Sequence, residues 1–196
     1  MIMKKLVLIL LAFFVFLFSN AQNKRFGTKI TFDKGTLVSN IGVGIISPYW
    51  VTGTNIALPP ICASLEYGIT SRIGLGLLVG YSASFEPKTA GYDYINSYSY
   101  ITAQLRGAYH FIHRDNLDLY VGLGIGYTYG SRSTNYFDNI VADKSGKFDP
   151  YSGKPGGIAP TVFFGGRYYF SKQIGVFGEV GYAISYISAG LVVRFQ

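Results

Sequence analysis

The stretch Leu119-Tyr120-Val121-Gly122-Leu123-Gly124-Ile125-Gly126-Tyr127-Thr128-Tyr129-Gly130 admits two readings that exclude each other. Its Gly122-x-Gly124-x-Gly126 core hints at a glycine loop that cradles a phosphate. Its alternation is that of a β-strand with one bulky face and one nearly bare face. A dinucleotide loop needs its glycines where a strand ends and a helix begins, so that the helix N-terminus meets the phosphates. Here the alternation runs unbroken through the glycines to Gly130. The strand reading therefore holds. Leu119, Val121, Leu123, Ile125, Tyr127 and Tyr129 form one ridge, and the glycines leave space on the other side.

The same period of two recurs elsewhere, and from Thr36 onward no amphipathic helix period of useful length competes with it. Counting the quoted stretch, eight segments carry it: Leu37–Ser47, Ile61–Ile69, Arg72–Phe85, Tyr98–Phe111, Leu119–Gly130, Ile158–Phe170, Ile174–Ile184 and Ser188–Phe195. Short turns fall at Thr70-Ser71, around Ile112–Asn116 and at Ser171-Lys172-Gln173. Longer loops fall near Pro48–Pro60, Glu86–Ser97 and Ser131–Gly157, and a tight hairpin near Ser185–Ile187. An even strand count with short turns at one end and long loops at the other is the plan of an up-and-down barrel. The expected fold is all-β, an eight-stranded antiparallel transmembrane β-barrel whose short turns face the periplasm.

Composition agrees. Among 196 residues only 14% are charged and 17% are aromatic, with 25 glycines. So little charge leaves a soluble domain short of polar surface. At the N-terminus, Lys4 and Lys5 precede an apolar run from Leu6 to Phe18 and then Ser19-Asn20-Ala21. That is the layout of a secretory signal peptide cut after Ala21, and the run is too short for a transmembrane helix. Gln22 in place of a cysteine argues against a lipid anchor. The expected division is a signal peptide at 1–21, a short periplasmic segment at 22–35 and the barrel at 36–196. Removing Lys4 and Lys5 takes the formal charge from +7 to +5, spread too thinly for a nucleic-acid footprint. The one cysteine, Cys62, has no internal disulfide partner.

Placing the bulky apolar face outward sets every charge within the strands inside: Glu66, Arg106, Arg167, Glu179 and Arg194. An Arg or Lys on the lipid face costs about 2–4 kcal/mol near the bilayer midplane, and this register needs none there. The same assumption gathers outward aromatics near two water interfaces. Tyr67, Tyr109, Phe111, Tyr168, Phe170 and Phe195 belong to the periplasmic girdle, and Tyr81, Phe85, Tyr127, Tyr129 and Tyr182 to the outer one. A soluble lipocalin-like binder would invert the faces and leave a surface made largely of glycine.

These features resemble the small outer-membrane β-barrel proteins of the eight-stranded OmpX/OmpA type, over about Phe32–Phe195. The resemblance rests on "FDKGTLVSNIGVGI", "LEYGITSRIGLGLLVGY", "GGRYYFSKQIGVFGEVGY" and "GLVVRF". It implies insertion into the bacterial outer membrane by the barrel-assembly machinery, which reads a terminal aromatic. Here Phe195 is penultimate and Gln196 follows. No periplasmic peptidoglycan-binding domain is expected after the eighth strand.

An eight-stranded lumen is barely wide enough for its own side chains. The interior charges are therefore expected to form an ion-pair network that plugs the barrel, in preference to a pore. His110 and His113, with Arg114, Asp115 and Asp118, are expected at a turn wetted by the periplasm. A membrane-barrel acyl hydrolase would, by resemblance, need its histidine near the outer leaflet. Asp143-x-Ser145-x-Lys147-x-Asp149 lacks the ligands of a calcium loop, and Ser145-Gly146-Lys147 lacks the context of a phosphate loop. No cofactor and no metal are expected. Tyr49, Trp50, Tyr92, Tyr94, Tyr136 and Phe137 in the outer loops are the candidate extracellular contacts. The expected function is a non-enzymatic structural or surface-interaction role through the outer loops. A narrow solute channel is the alternative, and a lipid-modifying barrel enzyme ranks below it. Expected partners are outer-membrane lipid, the assembly machinery, and a surface ligand or envelope protein, with no nucleic acid.

Overall fold

A computed structural model describes residues 31–50, 53–86, 94–114, 116–136 and 157–195. Eight strands follow one another: β1 (Leu37–Gly44), β2 (Asn55–Gly68), β3 (Ile73–Phe85), β4 (Tyr94–Arg114), β5 (Leu117–Tyr136), β6 (Gly157–Tyr169), β7 (Ile174–Tyr182) and β8 (Ile187–Phe195). They close in sequence order into a barrel. Every neighbouring pair is antiparallel, and β8 returns to β1 with Leu37 opposite Phe195 and Gly44 opposite Ser188. Closure leaves no edge within the barrel wall. The short connections β2–β3, β4–β5 and β6–β7 share one mouth, the turn end, and the opposite mouth is the loop end.

Alternation explains which face each residue takes. Along β5, Leu123 is 66% exposed on the outside, while Tyr120 on the other face is 1% exposed. The exposed outer surface is aliphatic, with Leu75, Leu77, Leu105, Val121, Leu123, Ile125 and Leu191 around the middle. The interior holds Arg167, Asp118, His110 and Glu66. That is the reverse of a soluble barrel. An apolar surface of this extent calls for lipid around it. Tyr67, Tyr109, Phe111, Phe170 and Phe195 are exposed toward the turn end, with Tyr168 half-buried beside them. Tyr127, Tyr129 and Tyr182 are exposed toward the loop end, with Tyr81 and Phe85 half-buried.

The strand limits differ from the expected ones in instructive places. β2 starts at Asn55, so the first loop is shorter than Pro48–Pro60. Pro59-Pro60 does not end the strand, because the β2–β3 register slips between Ile56 and Leu58 and again between Leu58 and Ile61. Proline is tolerated at such irregularities because no ladder hydrogen bond is lost there. β1 ends at Gly44 and β7 at Tyr182, earlier than expected. β4 and β5 are longer than expected, with 21 and 20 residues.

The glycines of the opening stretch are occupied space. A Cβ on Gly122 would collide with the ring of Phe163, and one on Gly124 would come within 2.8 Å of the Leu105 carbonyl and 3.3 Å of the Arg106 side chain. Glycine there lets β4 and β6 side chains cross the lumen.

Candidate functional site

The turn-end half of the lumen is built around two carboxylates gripped from two sides. Glu66 from β2 and Asp118 from β5 are both bound by Arg167 from β6: Nη1 donates to Asp118 Oδ2 at 3.0 Å, and Nη2 donates to Glu66. His110 from β4 bridges the same pair, with Nδ1 2.6 Å from Asp118 Oδ1 and Nε2 2.8 Å from Glu66 Oε1. The four side chains close a ring of hydrogen bonds. Burial without such pairing would be prohibitive for charged groups.

A second cluster lies next to it. Arg106 Nη2 donates to Glu179 Oε2 at 2.5 Å, and the Tyr120 hydroxyl donates to Glu179 Oε1 at 3.1 Å. The Arg106 guanidinium lies 3.6 Å over the centre of the Phe163 ring, and Arg167 lies 4.3 Å over Tyr120. Tyr120 thus links the clusters. A cavity of about 10 Å³ remains beside Ser64, Glu66, Arg106 and Arg167, room for about one water.

Of the five interior charges read from the sequence, four join these clusters and Arg194 does not. Arg194 instead donates to two backbone carbonyls, Thr31 at 2.8 Å and Lys172 at 2.5 Å. Two members of the ring were missed. His110 was expected at a wetted turn but is fully buried, as is Asp118. β4 runs on past His110 to Arg114, and the β4–β5 register slips between His110 and Ile112. Strand parity carried the signal, since His110 shares the face of Arg106, and Asp118 that of Tyr120. The side chains of His113 and Arg114 and the residue Asp115 lie outside the described residues.

Thr31 and Phe32 fill the turn-end mouth. Phe32 is fully buried with Val38, Tyr169, Phe177 and Val192. At the loop end, Tyr49 turns inward and stacks on Tyr100, ring centres 5.9 Å apart. Burial pushes the Tyr49 phenol above its ordinary pKa. Ile184, 1% exposed, packs against the backbone of Gly80. Tyr49 and Trp50, expected as outer contacts, are only half-exposed, and the Tyr49 hydroxyl and Trp50 Nε1 are buried. Tyr92 and Phe137 lie outside the described residues, as do the side chains of Tyr94 and Tyr136. Between the ends lies an uncharged polar sector with Asn40, Ser82, Gln104 and Thr161.

Outside the barrel wall, four strands overrun their neighbours at the loop end. β5 pairs with β6 only as far as Thr128 opposite Gly157, but with β4 as far as Tyr136 opposite Tyr94. β2 pairs with β1 only as far as Ile61, but with β3 as far as Asn55. The result is a ribbon of β2, β3, β4 and β5. At its base Glu86 accepts from Asn96 Nδ2 at 2.5 Å and from the Tyr98 hydroxyl, while Arg132 Nε donates to Asn96 Oδ1 at 3.2 Å.

The closed eight-strand barrel has counterparts among solved structures. The outer-membrane protein OprG of Pseudomonas aeruginosa matches with a TM-score of 0.54 and 10% identity, over 86% of this chain and 100% of that one. The fold is similar to that of OprG. The N-terminal barrel of OprF from the same organism aligns at 17% identity over 83% and 98% of the two chains, TM-score 0.43. Ail of Yersinia pestis aligns at 12% identity over 83% and 99%, TM-score 0.45. No protein-family model matches the chain, and no curated protein matches it.

Proposed function

We propose that this chain is a bacterial outer-membrane barrel, exported by a signal peptide cut after Ala21, that works as a surface-interaction protein through its projecting ribbon. The observation that carries the reading is the disparity of strand lengths. A tilted membrane strand needs about 9–11 residues. β1, β7 and β8 have 8, 9 and 9, whereas β4 and β5 have 21 and 20. At about 3.3 Å per residue, β5 continues for roughly 25 Å of tilted strand beyond Thr128. A membrane does not require that length, which leaves it free to meet a partner.

The ribbon has two unlike edges. Its β2 edge holds Pro59 and Pro60, which cannot donate to an added strand. Among the described residues, β5 from Tyr129 to Tyr136 is paired only on its β4 side. An edge of this kind accepts an extended segment of another chain through backbone hydrogen bonds. The lumen favours a binding role over a channel, because ion-paired and aromatic side chains fill its turn-end half and Tyr49 stacks on Tyr100 at the other end. It also disfavours His110 as a general base, since carboxylates occupy both its ring nitrogens.

The test is a barrel lacking residues 131–156, with Gly130 joined to Gly157 through a short turn. It should fold, migrating differently on a denaturing gel before and after boiling. Cells displaying it should lose adhesion to immobilised proteins that the full-length barrel binds. Undiminished adhesion would overturn the reading, and steady ion conductance of the full-length barrel in a planar bilayer would favour the channel.

A further inference from the structure

The segment Thr31–Thr36 precedes β1, yet it enters the barrel. Gly35, at φ +84°, makes the turn that sends the chain back up β1, a conformation glycine adopts without strain. The Gly35 amide donates to the Gly68 carbonyl at 2.8 Å, and the Gly68 amide donates to the Thr36 carbonyl at 2.9 Å. Thr31 Oγ1 donates to the Leu117 carbonyl at 3.2 Å, and Arg194 Nη1 donates to the Thr31 carbonyl at 2.8 Å. The strap is thus tied to β2, β5 and β8. Its tip is Phe32, whose ring lies parallel to His110, centres 3.6 Å apart and planes inclined by 8°.

The His110 ring has an unusual setting. Each of its nitrogens faces a carboxylate oxygen. A neutral imidazole has one donor, and only the imidazolium has two. With the imidazolium, Glu66 and Asp118 are balanced by Arg167 and His110. Without the second proton the ring of four holds a net negative charge, and one carboxylate oxygen meets a nitrogen lone pair. The face of Phe32 also favours a cation beneath it.

We propose that the Thr31–Thr36 strap is a proton-dependent plug of the turn-end mouth, seated on the imidazolium of His110 and loosened when that ring gives up its second proton. The groups that face His110 are Glu66 from β2 and Asp118 and Tyr120 from β5, and Arg167 from β6 binds both carboxylates from their other side. Behind them stand Tyr169 and Arg194, and on the strap itself Asp33 and the exposed Lys34. His110 is the member of the ring whose two nitrogens both face carboxylate oxygens, so its second proton sets the charge balance between Glu66, Asp118 and Arg167. The strap holds while the imidazolium bridges the two carboxylates and loosens as the pH rises through the ring's titration. This inference does not depend on the ribbon binding a partner.

The test uses the full mature chain folded in phospholipid vesicles, with folding checked by gel migration. Hydrogen exchange of the Gly35 and Thr36 amides, corrected for intrinsic rates, is followed against pH beside the ¹⁵N signals of the His110 ring. Protection of both amides should fall about tenfold across the ring's titration. His110→Gln should remove that step, and Phe32→Ala should lower protection at every pH. Protection that stays constant while the ring titrates, or an unchanged step in His110→Gln, overturns the proposal. Where His110→Gln does not fold, Phe32→Leu decides. It keeps the burial and loses the ring face, so a smaller step supports the plug and an unaltered step ends it.

Discussion

Arg106 and Glu179 stand 73 positions apart in the chain and meet across the lumen at 2.5 Å, each almost fully buried. Charges in such a setting are tolerated because each neutralises the other, and the low-dielectric surroundings make a lone survivor expensive. Removing one partner by Arg106→Ala or Glu179→Ala should destabilise the barrel by about 3–5 kcal/mol. The paired replacement Arg106→Met with Glu179→Leu should recover most of that loss, because no charge is left unpaired. Urea unfolding of the four variants in lipid vesicles closes the double-mutant cycle. A paired variant as unstable as the singles would mean that the pair acts through something other than charge.

Parity made this pair legible in the sequence. Glu179, Arg106, Glu66 and Arg167 each sit opposite bulky apolar neighbours in a two-residue alternation, so a lipid-facing ridge forces them inward. The same rule places His110 and Asp118 inside, yet both read as turn residues because polar residues beside a hairpin are ordinarily wetted. Two things override that expectation: β4 continues four residues past His110, and Phe32 covers it from the turn end. A contact between residues 32 and 110 has no local sequence signal. Pro59-Pro60 closed the expected first loop, and here they fall inside β2, where its register with β3 slips.

The opening stretch carries its own test, because adjacent residues face opposite media. Leu123→Arg places a cation on the lipid face at mid-belt and should cost about 2–4 kcal/mol. Gly122→Leu, one residue away, should destabilise for a different reason, since the Phe163 ring and the Gly107 carbonyl occupy the space. Pairing Gly122→Leu with Phe163→Ala should restore part of the loss, whereas Leu123→Arg should be indifferent to Phe163. Unfolding free energies in vesicles discriminate the two. Equal rescue of both variants would contradict the assigned faces.

Ribbon rigidity should depend on Glu86, which gathers Asn96 and Tyr98 at the base of the β3–β4 connection. Glu86→Ala removes the carboxylate that accepts from both Asn96 Nδ2 and the Tyr98 hydroxyl. Amide exchange from Ser97 to Tyr100 and from Gly130 to Ser133 should then speed up, while amides near Arg106 and Gly124 stay protected. Uniform loss of protection along β4 would show that ribbon and wall open as one unit.

Cys62 offers a native probe of the loop-end closure. It shares the inward face of Ser64 and Glu66, is half-buried, and stands opposite Gly80 in the β2–β3 register. The Ile184 side chain rests on Gly80, and Tyr49 covers the mouth by stacking on Tyr100. A small thiol reagent arriving from the loop end must therefore pass both residues. At one fixed pH, labelling of the intact barrel should be slow, and Tyr49→Ala with Ile184→Ala should speed it several-fold without altering gel migration. Phe32→Ala, at the other end, should leave the rate unchanged, because the Glu66 and Glu179 clusters still lie between the strap and the sulfur. Rapid labelling of the unaltered protein, matching its urea-unfolded form, would mean that the loop end stands open. Acceleration by Phe32→Ala alone would mean that the charged layers do not close the lumen.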